Sequence, residues 1–140
     1  MRAELSENLI TGNELIDSQH EELIGRINKL LDSCELDGGK VTAVSTLDYL
    51  ADYTDFHFHD EEELQKEIEY PHYEQHKAQH DGFKKTVDEL YEMLQEEEGP
   101  SAAFVSKVEE NVIKWFYNHI ETFDRSVAEY KNMKENSGRL

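Results

Sequence analysis

Apolar residues recur along this chain at alternating intervals of three and four, the spacing that gathers them on one face of an α-helix. Four such stretches are separated by breaks carrying glycine or proline. Residues 1–13 have no period and include Thr11-Gly12-Asn13, which predicts an irregular N-terminal arm. A first helix is expected over about 14–34, ending before Asp37-Gly38-Gly39. A second, over about 41–68, must stop near Tyr70-Pro71, because proline disfavours helix in the residue before it. Pro71 suits the first turn of a third helix, over about 72–97. Gly99-Pro100-Ser101 breaks the chain again, and a fourth helix follows over about 101–133. Short connections between long helices favour antiparallel neighbours. The pattern therefore predicts an all-α, up-down-up-down four-helix bundle, with all 140 residues in one domain.

The four apolar seams contain polar residues. In the first, Ile16, His20, Leu23, Ile27, Leu30 and Cys34 share a face. The second runs through Leu47, Leu50, Thr54, His57, Glu61, Leu64 and Ile68. The third holds Tyr73, His76, His80, Phe83, Val87, Leu90 and Leu94, and the fourth Val105, Val108, Val112, Trp115, His119 and Phe123, continuing near Val127. Six of these positions are ionisable: His20, His57, Glu61, His76, His80 and His119. A lone histidine on an apolar face is more often a satisfied core residue than a ligand. Each unpartnered buried polar group costs roughly 1–3 kcal/mol, however, against a net stability of about 5–15 kcal/mol. Six together require a common partner.

Their depth along the chain agrees. His20 lies near the start of the first helix, His57 and Glu61 toward the end of the second, His76 and His80 near the start of the third, and His119 in the later half of the fourth. In an antiparallel bundle those positions fall at one level. His57/Glu61 and His76/His80 are each four residues apart, which puts both members of a pair on one helical face. Imidazole nitrogen with carboxylate oxygen suits iron, zinc or copper, and five histidines are too many for magnesium or calcium. His59 and His72 fall off the seams and are expected at the surface.

Composition adds exclusions. Charged residues make up 33% and apolar ones 37%, and the formal net charge is −18. Such a surface repels phosphate backbones and anionic lipid, so neither nucleic acid nor a membrane surface is an expected partner. The single cysteine, Cys34, cannot form an internal disulfide. No signal-peptide core follows Met1 and no apolar run approaches membrane-spanning length, so a cytoplasmic protein is expected.

The segments Ile16-Asp17-Ser18-Gln19-His20, His57-Phe58-His59-Asp60-Glu61-Glu62, Tyr70-Pro71-His72-Tyr73-Glu74-Gln75-His76 with His80, and Trp115-Phe116-Tyr117-Asn118-His119-Ile120 with Asp124 occur in order on four successive helices. Together they resemble the hemerythrin family from Ile16 to about Tyr130. The resemblance implies two iron ions with a bridging hydroxide or oxo group. It assigns His76, His80 and His119 to one iron, His20 and His57 to the other, and Glu61 and Asp124 as bridges. Asp124 enters only this way: on an ideal helix it stands about 140° around the axis from His119. The implied ligand count leaves the His20/His57 iron five-coordinate, so dioxygen is expected to bind there, reversibly.

Leu23, Phe58, Trp115 and Phe116 are expected to wall a dry oxygen pocket. Two features depart from the family: Gln65 stands where many bacterial relatives carry methionine, and the arm lacks the tryptophan that relatives often have. The implied function is a non-enzymatic oxygen-binding protein for storage, delivery or buffering. The alternative is a di-iron sensor of oxygen, redox state or iron that acts through a separate partner. A ferritin-like enzyme site would need two Glu-x-x-His motifs, and Glu69 to His72, the one match, is interrupted by Pro71.

Overall fold

The computed structural model describes residues 2–35, 39–97 and 99–137. Among them are three long helices, α1 (Glu14–Glu35), α2 (Gly39–Glu67) and α3 (Tyr73–Glu96), and a fourth rod of mixed winding. That rod comprises α4 (Ala102–Val108), a π-turn (Glu109–Ile113), α5 (Lys114–His119), a second π-turn (Ile120–Asp124) and α6 (Arg125–Ser137). Consecutive rods pack together, and the fourth closes the bundle against α1 and α3. No helix among the described residues is long and apolar enough to cross a membrane.

The ends of the rods follow from local chemistry. Asn13 accepts the Ile16 N–H at 3.0 Å and caps α1; Ser101 accepts the Phe104 N–H at 3.1 Å and caps α4. Gly39 opens α2 at φ +67°, a backbone region that costs glycine little. The expected turn at Asp37 and Gly38 lies outside the described residues. Pro71 sits in the connecting turn and not in the first turn of α3, because His72 takes the N-cap position. The chain reverses there with Glu69 at φ +55° and the Tyr70 N–H on the Gln65 carbonyl at 2.8 Å. That five-residue closure is a common way to end a helix.

The apolar seams of the first three rods meet in the interior. Leu23, Ile27, Leu30, Leu47, Leu50, Leu90 and Leu94 are fully buried, each worth roughly 1.5–3 kcal/mol relative to exposure. The fourth rod departs from a regular seam. Val105, Trp115 and Phe123 are only half-buried, whereas Phe104, Ile113, Phe116, Ile120 and Asp124 are buried. Beyond Val108 the two π-turns are the cause. In each, an N–H bonds the carbonyl five residues back, Lys114 to Glu109 and Arg125 to Ile120. Each wide turn takes up an extra residue and shifts the inward face.

The N-terminal arm is irregular apart from one 3-10 turn at Glu7–Leu9. Asn28 holds it with a reciprocal pair, accepting the Ala3 N–H at 2.8 Å and donating to the Ala3 carbonyl at 3.0 Å. The Glu4 N–H donates to the Tyr117 hydroxyl at 2.8 Å. Asp17 accepts from the Thr11 N–H and hydroxyl and from the Gly12 N–H. The Arg125 guanidinium donates to the Asn8 and Ile10 carbonyls, so the Glu7–Leu9 turn lies against the second π-turn. Ala3 and Leu9 are buried in the core on this side.

Candidate metal centre

The winding of each rod determines how its polar residues enter the core. On α2, four-residue spacing stacks His57 over Glu61, and on α3 it does the same for His76 and His80. α1 supplies His20 from its second turn, and α5 ends on His119. Asp124 closes the second π-turn, whose wider winding brings its carboxylate round to His119 Nε2 at 3.1 Å. Ideal α-geometry separated these two residues; the observed winding joins them. Every one of the seven expected ligands is buried: His20, His76, His80 and Asp124 have no exposed surface, and Glu61, the most accessible, shows 3%.

They converge as two overlapping sets. Glu61, His76, His80, His119 and Asp124 bring one ligand atom each within 4.8 Å of the others. His20, His57, Glu61 and Asp124 do the same, so the two carboxylates belong to both sets. Asp124 lies 2.7 Å from His20 Nε2, 2.9 Å from His76 Nε2 and 3.1 Å from His119 Nε2. Glu61 lies 2.7 Å from His76 Nε2, 3.3 Å from His80 Nε2 and 3.7 Å from His57 Nε2. His59 and His72 are exposed and outside both sets.

Close approach here is not mutual satisfaction. Both Glu61 oxygens, Asp124 Oδ1, His57 Nε2 and His80 Nε2 are buried without a hydrogen-bond partner. The Nε2 atoms of His76 and His119 face each other at 3.0 Å. Lone pairs that gather at common points without bonding one another suit a cation, and a nitrogen-rich donor set with two carboxylates fits a borderline transition metal such as iron. Left unpaired, each of these atoms would cost about 1–3 kcal/mol or more.

The electrostatics without a cation are lopsided. Burial, then the charge of Asp124, pushes Glu61 well above the usual carboxylate range. Burial also opposes charge on Asp124, but His119, His20 and His76 hold it well below that range. Burial lowers His76, yet its contacts with Asp124 and Glu61 prevail and raise it to about 9. Burial, then the charge of His20, lowers His57 to about 3. Burial, then the charge of His76, lowers His80 to about 2, and burial lowers His119 as well.

Side chains behind the cluster orient the rings. Gln19 accepts at 2.6 Å from His57 Nδ1 and donates at 2.8 Å to Asp60. Glu62 accepts from His80 Nδ1 at 2.8 Å, and the Gln65 amide lies 2.9 Å from His76 Nδ1. Partners of this kind fix which ring nitrogen presents its lone pair inward. Gln19 and Glu62 fall beside seam positions and not on them, so helical spacing gave no sign of them; their signal is adjacency to His20 and Glu61. His119 is held by stacking instead, between Trp115 (centroids 4.5 Å, planes 11° apart) and Phe123 (5.3 Å, 12°).

The four residues expected to wall a pocket divide between the two sets. Phe116 is buried and meets His20 edge-on at 5.6 Å, and Leu23 is fully buried one turn from His20. Phe58 stacks on His80 at 3.9 Å and Trp115 on His119, so both lie on the three-histidine side.

Comparison with known proteins follows the same lines. A family model described as the hemerythrin HHE cation binding domain matches residues 11–130. A bacteriohemerythrin of Aquifex aeolicus is 32% identical over 118 residues, spanning 84% of this chain and 88% of that protein. One from Stenotrophomonas maltophilia is 31% identical over 123 residues, 88% of this chain and 77% of that protein. A crystal structure of a hemerythrin point mutant superposes with a TM-score of 0.73 at 26% identity, covering 85% of this chain and 88% of that one.

Proposed function

The chain belongs to the hemerythrin family, and from that premise we propose that its centre holds two iron ions and binds dioxygen reversibly. The observation that carries this reading is the pair of ligand sets that share Glu61 and Asp124, three histidines on one side and two on the other. In it, His76, His80 and His119 would hold one iron, His20 and His57 would hold the second, and Glu61 and Asp124 would serve both. When bound, an iron pair supplies the electrons that let dioxygen be taken up and given back.

The chain's own residues do the rest. The side with fewer nitrogen ligands is the place for dioxygen, and there Phe116 and Leu23 exclude water. Gln19 fixes the His57 ring through Nδ1 and leaves Nε2 free to face the centre. Phe58, Trp115 and Phe123 clamp the opposite rings. A site so rich in imidazole and poor in carboxylate suits binding and release more than oxygen activation, so the protein is read as a carrier and not an enzyme.

The test is anaerobic iron loading, metal quantification and visible absorption through repeated cycles of air and argon. Two irons per chain and a visible band that rises in air and fades in argon are expected. One metal per chain, or immediate oxidation without recovery, would overturn the proposal.

A further inference from the structure

Gln65 is wholly buried near the end of α2, and its backbone carbonyl is fixed by the Tyr70 N–H. Its amide nitrogen lies 2.9 Å from His76 Nδ1, while its amide oxygen has no partner. Nitrogen and oxygen of an amide have nearly the same shape, so a half-turn exchanges them without changing the packing. Either way one amide atom stays unpaired, and the state of His76 decides which atom faces it.

His76 is the hub of the cluster, with Nε2 at 2.7 Å from Glu61 Oε1, 2.9 Å from Asp124 Oδ1 and 3.0 Å from His119 Nε2. An Nε2 that carries a proton cannot ligate a metal. To ligate through Nε2, the neutral ring must carry its proton on Nδ1, and an acceptor at Nδ1 favours that tautomer, although His20 and His119 have none. His57 and His80 already meet this condition, since Gln19 Oε1 and Glu62 Oε2 stand at their Nδ1 atoms.

We infer that Gln65 is a positioning residue: in the metal-loaded centre its side-chain carbonyl accepts the Nδ1 proton of His76 and fixes the tautomer that turns Nε2 toward the metal. The inference rests on the reading of the cluster as a metal centre, but not on oxygen binding.

The test compares wild type, Gln65→Leu and Gln65→Glu by anaerobic competition for Fe(II) against a coloured chelator, with thermal melts of the metal-free proteins alongside. Gln65→Leu removes the acceptor and should lose about 10–100-fold in Fe(II) affinity, whereas Gln65→Glu, which keeps an oxygen in place, should recover it. The melt of metal-free Gln65→Leu should not fall in parallel, since a buried amide has become apolar. Equal affinity in wild type and Gln65→Leu would overturn the inference, as would a loss that Gln65→Glu fails to rescue. Should Gln65→Leu not fold, the wild-type protein loaded with diamagnetic Zn(II) decides by nitrogen-15 NMR. A His76 Nδ1 proton that shows a through-hydrogen-bond coupling to the Gln65 side-chain carbonyl carbon supports the inference, and a Nδ1 proton without that coupling, or a proton on Nε2, refutes it. Failure of wild type to bind metal at all would instead sink the proposed function.

Discussion

His76→Ala should emerge from iron-replete expression with most of its iron gone, while His59→Ala keeps the wild-type amount. His76 Nε2 lies within 3.0 Å of both carboxylates' nearest oxygens and of His119, so its removal opens the three-histidine set at its centre. Loss of an outer partner typically costs 10–100-fold in affinity, and a direct ligand should cost more than about 100-fold. His59 lies on the same helix as His57 but faces solvent. It controls for any general effect of removing a histidine. The measurement is iron per chain by elemental analysis on variants whose helical circular dichroism matches wild type. Equal loss in both, or full iron in His76→Ala, would show that the buried cluster is not where the metal sits.

The metal-free protein should be most stable near pH 6.5 and weaken on both sides. An unfolded histidine titrates near 6.5. His57 and His80, held to about 3 and about 2 when folded, stay neutral in the bundle, while the unfolded chain takes up protons below 6.5. Their contribution is full above 6.5 and is lost as pH falls toward 3. His76 moves the other way: raised to about 9, it contributes fully below 6.5, and that contribution is lost as pH climbs through 9. The summed effect is on the order of a few kcal/mol on each side, large against a net stability of about 5–15 kcal/mol. Urea unfolding of chelator-treated protein from pH 5 to 9 measures it. Metal loading should remove the alkaline decline, because the cation then holds Glu61 and Asp124 in place of the His76 proton. A metal-free curve that is flat, or that rises steadily across this range, contradicts the account.

What the sequence revealed, and what it withheld, follows from helix geometry. α1, α2 and α3 wind regularly, so three-and-four spacing picks out most of their buried faces, and pairs four apart mark His57 with Glu61 and His76 with His80. At the seam ends Cys34, Leu64, Ile68 and Tyr73 are only half-buried, and Gln65 is buried beside Leu64. The fourth rod breaks that assumption twice. Spacing points inward at Trp115 and Phe123, which are half-buried, and passes over Phe116 and Ile120, which are fully or almost fully buried. Asp124 was reachable only through the family resemblance, because a regular α-helix turns it away from His119. The five-residue interval between them was itself the trace of a π-turn, but only to a reader who already knew both residues belonged together. Gln19 and Glu62 were hidden for another reason. They reach Nδ1 atoms of rings on neighbouring helices, and no single-helix pattern encodes that.

The π-turn at Ile120–Asp124 also has a consequence for amide exchange. The π-turn at Glu109–Ile113 carries none of the residues in either ligand set, whereas this one ends on a carboxylate shared by both and is backed by the Glu7–Leu9 turn of the arm. Local opening of a helix draws on its least supported hydrogen bonds. In deuterated buffer, the Arg125 amide that closes this turn should exchange faster once metal is stripped, while the Lys114 amide that closes the other should change little. One backbone proton would thereby report on the centre from outside it, and lose deuterium protection as the metal leaves.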